Sequence, residues 1–154
     1  MLTKKHKEPA MRLTTRSRYG TRMMLDIAMH CEGGPVRISD IAQRQGLSTK
    51  YLEKLIRELK KAGFISSKRG PGGGHTLAMA PSDISVGAIV RSLEGDIGLV
   101  ECLDNDTLCQ RIEDCPTREV WIKASKAMYV ALDEISIADM LKEGSFCVRT
   151  NPFK

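Results

Sequence analysis

Much of the fold is encoded in the stretch STKYLEKLIRELKKAGFISSKRGPGGG, residues 48–74. Its first part carries apolar residues at helical spacing, which predicts a helix with one buried face and one exposed basic face. These apolar residues are Leu52, Leu55, Ile56 and Leu59. Ser48 is a typical N-cap residue and Gly63 a typical helix stop. The stretch therefore predicts a basic helix that leads into a glycine-rich hairpin.

A shorter helix is predicted immediately before this stretch. Ser39 is expected to cap it, Ile41 and Ala42 to form its apolar side, and Gly46 to end it in the left-handed conformation. Only Leu47 separates Gly46 from the next N-cap. Two short helices joined by a tight glycine turn are typical of a helix-turn-helix, whose second helix enters the major groove of DNA.

The glycine-rich part predicts a β-hairpin with a slender tip. The strand-like runs FISSKRG (64–70) and HTLAMA (75–80) flank the sequence PGGG, with Lys68 and Arg69 at the approach to the tip. Glycines allow the backbone to come close to another surface. A nucleotide-binding loop is disfavoured because no helix with a Lys-Ser/Thr pair follows. The hairpin is either an ordinary flexible loop or the wing of a winged helix, which would place Arg69 in a minor groove.

Apolar patterns outside this stretch predict further helices. Residues 14–31 carry an apolar stripe that should face the core and includes Met23, Met24, Ile27, Ala28 and Cys31. Ser85 is expected to cap a helix that Gly95 ends, Pro116 to open a long helix, and Ser136 with Asp139 to start a last short one. The apolar side of the long helix comprises Val120, Ala124, Ala127, Ala131 and Ile135, with Trp121, Met128 and Leu132 beside it.

This long helix is a candidate dimer surface. A helix-turn-helix monomer covers only one half-site of an operator, so a second copy is needed for a palindromic site. The alternative is that its apolar side packs within its own domain.

Charge is divided unevenly along the chain. Residues 1–75 contain 16 Lys and Arg against 6 Asp and Glu, whereas residues 76–154 contain 8 against 13. A basic first half predicts a polyanionic partner, unless this basic face is simply solvated. No apolar run reaches membrane-spanning length, and the opening MLTKKHKEPA lacks the apolar core of a secretory signal. We therefore expect a cytoplasmic protein without a membrane partner, whose thiols stay reduced.

Three cysteines, Cys102, Cys109 and Cys115, follow a C-x6-C-x5-C spacing in an acidic segment with little apolar character. Structural zinc prefers a closer C-x2–4-C pair. The surrounding carboxylates are expected to raise the thiol pKa values, which disfavours a redox switch. Spaced thiolates in a reduced compartment favour an iron–sulfur cluster. From the residues alone, zinc, redox chemistry and no chemical role remain open alternatives.

Several motifs together resemble the iron–sulfur cluster regulator (IscR-like) family of bacterial winged helix-turn-helix transcriptional regulators. They are MRLTTRSRYG, the run from Pro35 through Gly74, SVGAIV, the three-cysteine segment, Trp121 and IADML. The resemblance covers residues 11–143. It divides the chain into an extension (1–10), a winged helix-turn-helix domain (11–84), a cluster-binding loop with dimerisation helices (85–143) and a tail (144–154). The fold class it implies is mainly α with a small β-hairpin.

The resemblance implies a homodimer that binds double-stranded DNA at a near-palindromic operator. By position, base contacts fall on Ser48, Lys50, Tyr51 and Glu53, and the wing contact on Arg69. Their chemistry suits base edges and grooves. Other basic residues are interpreted as phosphate contacts: Arg57, Lys60, Lys61 and Lys68.

For the cysteines, the resemblance implies an iron–sulfur cluster, either [2Fe-2S] or [4Fe-4S]. The family's histidine three residues after the last cysteine is Arg118 here, and the acidic residue that some relatives use in the first helix is Arg18. Neither guanidinium has a lone pair to offer a metal. The fourth ligand is therefore Glu119, a loop carboxylate, a residue of the other subunit or solvent.

The expected function is a DNA-binding repressor controlled by this cluster. The alternative is a cluster-free winged-helix regulator gated by thiol oxidation or by a protein partner. An enzyme is not expected, because the sequence contains no nucleotide loop, no serine elbow and no recognisable Cys-His arrangement.

Overall fold

A computed structural model of the chain describes residues 13–96, 98–104 and 110–142. Helix α1, Thr15–His30, begins where the Thr14 side chain accepts a hydrogen bond from the Arg16 amide. Its apolar stripe is buried as predicted for Met23, Met24 and Ile27.

The prediction that Cys31 belongs to the core is wrong. Helix α1 ends at His30, and the chain turns there into a short 3-10 helix, Cys31–Gly33. This turn leaves Cys31 exposed, with its thiol donating a hydrogen bond to the Ala28 carbonyl oxygen at 3.3 Å.

Helices α2, Ile38–Gln45, and α3, Thr49–Lys61, form the predicted helix-turn-helix. Gly46 ends α2 with a φ of 66°, and the Ser48 hydroxyl accepts a hydrogen bond from the Tyr51 amide at 3.2 Å. The predicted cap at Ser39 is wrong. Helix α2 starts two residues earlier than predicted, after Arg37, and the Ser39 hydroxyl donates to the Asp40 carboxylate instead.

The hairpin consists of antiparallel strands β1, Ile65–Lys68, and β2, Gly74–Leu77. At its tip a side chain on Gly73 would lie 2.4 Å from the Lys68 carbonyl oxygen, so this turn requires glycine. Val36 pairs with His75 through two backbone hydrogen bonds of 2.8 and 2.9 Å. The hairpin is thereby attached to the segment between α1 and α2.

Helix α4, Val86–Glu94, packs against α1 and is capped by Ser85 as predicted, with a 3.1 Å hydrogen bond from the Ala88 amide. Glu94 reaches back to the start of α1, where its carboxylate accepts hydrogen bonds from the Thr14 hydroxyl and the Ser17 amide. Gly20 allows close packing, since a Cβ at this position would lie 2.2 Å from Leu93 Cδ1.

The remaining helices are α5, Glu101–Asp104, α6, Arg118–Asp133, and α7, Ile137–Lys142. Pro116 does not open α6, because the chain forms a turn at Pro116 and Thr117 before the helix begins. Asp139 accepts a hydrogen bond from the Ser136 amide at 3.0 Å, as the predicted start of α7 requires. The core crosses the predicted domain boundary at residue 84, because it joins Ile137 and Ile89 to the side chains of α1 and α3.

The predicted extension (1–10), the tail (144–154) and Cys109 lie outside the described residues. Among the helices that are described, none combines the length and apolar character needed to cross a membrane.

Candidate nucleic-acid interface and cysteine segment

Helix α3 presents two different faces. Leu52, Leu55 and Leu59 on one side are fully buried. On the other side, an open depression of about 520 Å³ lies along the start of the helix. It is lined by Ser48, Lys50, Tyr51, Glu53, Lys54 and Arg57. All of these side chains except that of Tyr51 are exposed, so the four predicted base-contacting residues and Arg57 share one accessible surface.

Tyr51 is half-buried because it packs against α1. Its ring meets that of Tyr19 edge-on, with 6.1 Å between centroids, and its hydroxyl lies 3.5 Å from Thr15 Oγ1. Further along α3, Glu58 forms an ion pair with Arg16 of α1. These contacts hold the exposed face of α3 in a defined orientation relative to α1.

A buried carboxylate joins α1 to the end of α2. The Asp26 side chain is only 3% exposed and accepts hydrogen bonds from Arg44 Nη2 at 2.6 Å and Gln45 Nε2 at 2.8 Å. Burial raises the pKa of Asp26, but these hydrogen bonds and the charges of Arg44 and His30 outweigh it, so that the pKa lies below its ordinary value. The carboxylate is therefore ionised at neutral pH and braces the helix-turn-helix.

Sequence reasoning missed this role of Asp26. A signal was present, because Asp26 lies between Met23 and Ile27 within the apolar stripe of α1. A charged residue at such a position is buried only if it is paired.

The hairpin carries its cations at the tip. Lys68 ends β1, Arg69 follows it, and both side chains are exposed. Nearby, His75 is half-buried and its Nδ1 lies 3.0 Å from Ser67 Oγ. Burial, together with the charge of Lys60, lowers the pKa of His75. His75 is thus a neutral structural residue of the hairpin at physiological pH.

The structure describes both ends of the cysteine segment. Cys102 lies in α5, and Cys115 lies just before α6. Both cysteines are half-buried and free. Arg118, the first residue of α6, contacts both ends: its Nη1 donates to the Cys102 carbonyl oxygen at 3.1 Å, and its amide donates to that of Cys115 at 3.2 Å. Glu119 is exposed in the first turn of α6.

Within the part of the chain that the structure describes, no group of three potential ligands forms a metal site. That part does not include Cys109. The donor chemistry of Cys102 and Cys115 nevertheless fits an iron–sulfur cluster, since thiolates are the ligands that such clusters use.

The prediction that acidic neighbours raise the thiol pKa values is wrong for Cys115. Its Sγ lies 3.4 Å from the Thr117 hydroxyl, and hydrogen bonding by Thr117 is the largest cause of a lowered pKa. The Arg118 amide and the charge of Arg111 act in the same direction. Neighbouring carboxylates such as Glu113 and Asp114 are exposed, so water screens their charges. The thiolate, which is the form that binds iron, therefore forms more readily at Cys115 than at an ordinary cysteine.

The helix-turn-helix, the exposed basic face of α3 and the glycine-rich hairpin together define a winged-helix DNA-binding protein. Residues 13–143 match the family model "Rrf2: Iron-dependent Transcriptional regulator". The chain belongs to the Rrf2 family, which confirms the resemblance to IscR-like regulators.

Individual relatives agree with this assignment. The chain is 54% identical to "Protein rrf2" of Nitratidesulfovibrio vulgaris over 137 residues, which cover 89% of this chain and 91% of that protein. Its structure is similar to that of IscR of T. potens, with a TM-score of 0.72, 39% identity, and coverage of 93% of this chain and 96% of the other.

The structure is also similar to that of CymR, the global cysteine regulator of B. subtilis. This match has a TM-score of 0.70, 33% identity, and coverage of 85% of this chain and 96% of the other. Other relatives, such as IscR of Aliivibrio salmonicida, are named as HTH-type transcriptional regulators, and this chain is a DNA-binding regulator of the same family.

Proposed function

We propose that this protein is a homodimeric transcriptional repressor whose operator binding is controlled by an iron–sulfur cluster held by Cys102, Cys109 and Cys115. The observation that carries the proposal is the pair of hydrogen bonds made by Arg118. Its guanidinium donates to the carbonyl oxygen of Cys102, and its amide donates to that of Cys115. The lowered pKa of the Cys115 thiol supports the proposal, because a thiol must lose its proton to bind iron.

Three thiolates would hold the cluster, and a weaker ligand would complete it. Glu119 is the candidate for the fourth position because its carboxylate is exposed at the start of α6, close in sequence to Cys115. Oxygen ligands are a poor match for iron in a sulfide cluster, so that corner would be exchangeable. The cluster would supply sensitivity to iron, oxygen or nitric oxide, and both [2Fe-2S] and [4Fe-4S] forms are compatible with this ligand set.

In the proposed complex with DNA, α3 enters the major groove and the hairpin approaches the adjacent minor groove. Ser48, Lys50, Tyr51 and Glu53 would contact base edges, and Arg69 would enter the minor groove. Arg57 and Lys68 would contact phosphates, together with Lys60 and Lys61. The exposure of these cationic side chains and the glycine-rich tip support this docking mode.

The proposed dimer forms through α6. On the side predicted to be apolar, this helix leaves large side chains exposed, with 54% of Val120 and 39% of Trp121 accessible. Pairing of two copies along α6 would bury this surface and place two α3 helices on the half-sites of a near-palindromic operator.

Anaerobic purification tests the cluster directly. We expect coloured protein that contains iron and sulfide, and loss of the visible absorbance when Cys102, Cys109 or Cys115 is replaced by Ala. The variant Cys31→Ala is the matched control, since Cys31 is exposed in the turn after α1, outside the cysteine segment. Full colour and iron content in all three single variants would show that these cysteines do not bind a cluster.

Operator binding tests the docking mode. Arg69→Ala should weaken binding by about 1–3 kcal/mol if Arg69 reads a groove. Lys60→Ala should weaken binding to all sequences about equally and reduce the salt slope by about one unit. If neither variant differs from the parent protein across a salt titration, the proposed docking is wrong.

A cluster-free regulator gated by thiol oxidation or by a protein partner is the second candidate. The lowered pKa of Cys115 favours it, because a thiolate is the form that oxidants attack. The similarity to CymR is compatible with it. Colourless protein after anaerobic purification, combined with operator binding that is lost on mild oxidation, would favour this candidate over the cluster.

A further inference from the structure

Arg118 connects the two ends of the cysteine segment through two different groups. Its backbone amide donates to the Cys115 carbonyl oxygen at 3.2 Å, which fixes it to the turn before α6. Its guanidinium Nη1 donates to the Cys102 carbonyl oxygen at 3.1 Å, which fixes it to α5. Arg118 therefore connects α5 to the turn before α6, although the rest of the cysteine segment lies between them in sequence.

The contact at Cys102 matters because α5 is very short. A helix of four residues, Glu101–Asp104, is too short to be stable without tertiary contacts. The last carbonyl groups of a helix lack partners within the helix and carry partial negative charge. A guanidinium that donates to one of them forms a charge-assisted hydrogen bond, which is stronger than a neutral one. Arg118 is therefore well suited to hold α5 at the base of α6.

We propose that Arg118 is a positioning residue of the cysteine site, which holds the Cys102 turn next to Cys115 before any metal binds. This inference rests on the proposed function, since it assigns the two thiols to one site. It does not require Arg118 to be a ligand. Arg118 has no lone pair for a metal, and its contribution is to lower the entropy cost of bringing the thiols together.

Charge and geometry make opposite predictions for a variant that lacks the guanidinium. A permanent cation at the carbonyl oxygen of Cys102 repels a metal cation that approaches this site, so that its removal would tighten metal binding if charge alone mattered. If Arg118 positions the cysteines, its removal would weaken metal binding despite the loss of this repulsion. The sign of the change therefore distinguishes the two roles.

Hydrogen exchange on the metal-free, full-length protein is the first test. We expect the amides of residues 101–104 to exchange roughly three- to tenfold faster in Arg118→Ala, which corresponds to the loss of a single hydrogen bond. Arg118→Gln serves as a second variant if the first folds poorly, and unchanged exchange in α3 verifies folding. Lys126→Ala, which removes an exposed cation from α6, should leave these amides unaffected. Unchanged exchange in both Arg118 variants would overturn the proposal.

Titration with Co²⁺, followed by the thiolate-to-metal charge-transfer absorbance, is the second test. We expect Arg118→Ala to bind Co²⁺ roughly three- to tenfold more weakly than the parent protein, whereas Lys126→Ala binds equally or slightly more tightly. Equal or tighter binding by Arg118→Ala would overturn the positioning role.

The hydrogen-exchange result is independent of the proposed cluster. Faster exchange in a protein that proves colourless would leave the role of Arg118 standing and remove the cluster. A coloured protein in which the Arg118 variants show unchanged exchange would support the cluster and exclude the positioning role of Arg118.

Discussion

The winged-helix region (residues 13–94) and the carboxyl-terminal region (residues 98–142) are built on different principles. The first contains almost all of the fully buried apolar side chains, including Met23, Ile41 and Leu52. In the second, Ile137 and Ser125 are the buried side chains among the described residues. The winged-helix region supplies nearly all of the core, which Ile137 of α7 completes, whereas helix α6 exposes the apolar surface that a second subunit would cover in the proposed dimer.

The two regions meet in the core, where Ile137 of α7 packs with side chains of α1 and α3, and also through polar contacts between α4 and α6. Arg91 forms a two-pronged ion pair with Asp133, at 2.6 and 2.7 Å, and its guanidinium lies 4.4 Å from the centre of the Tyr129 ring. The Ser85 hydroxyl also donates to Asp133. Partly exposed ion pairs contribute little to stability. Substitutions in the winged-helix core should therefore have much larger effects than substitutions at this contact.

The largest effect is expected for Leu55→Ala. Leu55 is fully buried on α3, so its truncation leaves a cavity and should lower the free energy of unfolding by about 2–5 kcal/mol. The matched variant Val120→Ala truncates a side chain on the apolar side of α6 that is 54% exposed. Its effect should depend on protein concentration, because it acts on association rather than on the core. Denaturant unfolding at several protein concentrations measures both. Equal, concentration-independent losses would contradict the contrast between the two regions.

A smaller effect, with a specific pH dependence, is expected for Asp26→Asn. The pKa of Asp26 is lower in the folded protein than its ordinary value of 3.8, so its ionisation stabilises the fold above about pH 4 and this stabilisation is lost on further acidification. At neutral pH the variant should lose about 1.5–3 kcal/mol, because hydrogen bonds to a charged group are weakened.

The free energy of unfolding, measured from pH 7 down to the lowest pH at which the protein remains folded, checks this prediction. The free energy of unfolding should change less steeply with pH in the variant than in the parent protein. The difference in slope should correspond to about one bound proton at most. Asp83→Asn is the control, since the Asp83 side chain is exposed. Parallel pH profiles for Asp26→Asn and the parent would rule out the bracing role of this carboxylate.

Gly20 and Gly87 both lie so close to a neighbouring side chain that an added Cβ would collide with it. Their alanine variants therefore compare crowding in the core with crowding at the contact between α4 and α6. In Gly20→Ala the new Cβ would lie 2.2 Å from Leu93 Cδ1 inside the core, and the crowding should destabilise the protein by about 1–3 kcal/mol. In Gly87→Ala it would lie 2.0 Å from Asp133 Oδ1, a carboxylate at the partly exposed contact between α4 and α6. That side chain can move into solvent, although the backbone nitrogen of Asp133 would also lie 3.1 Å from the new Cβ, so we expect a loss of about 1 kcal/mol. A larger loss for Gly87→Ala in thermal unfolding would reverse this order.

The smallest effect is expected for Arg91→Ala. The Arg91 and Asp133 side chains are 35% and 41% exposed, so the loss of their ion pair should reduce stability by less than about 1 kcal/mol. The difference from the parent protein should shrink further as salt is added. Unfolding at low and high ionic strength measures it. A large loss that salt does not reduce would mean that the contact between α4 and α6 is not a screened surface ion pair.

Local features of this protein were readable from sequence. The cap at Ser48, the left-handed Gly46, the cap at Ser85 and the glycine-rich hairpin all follow from rules that act within a few residues. The apolar stripe of α3 was predictable for the same reason, since helical periodicity is a local property. Pro116 and Ser39 were misassigned because a helix boundary can shift by one or two residues with little change in free energy.

Other features depend on contacts between residues that are distant in sequence. The pairing of Asp26 with Arg44, and the hydrogen bond from Arg118 to Cys102, required the packing of separate helices. The lowered pKa of Cys115 depends on whether a donor or a carboxylate lies closer to the sulfur, which composition does not reveal. Sequence thus determined the helices, the hairpin and the family, because periodicity and caps act locally. The tertiary structure determined which charges meet, because electrostatic and hydrogen-bond energies depend on distances in space.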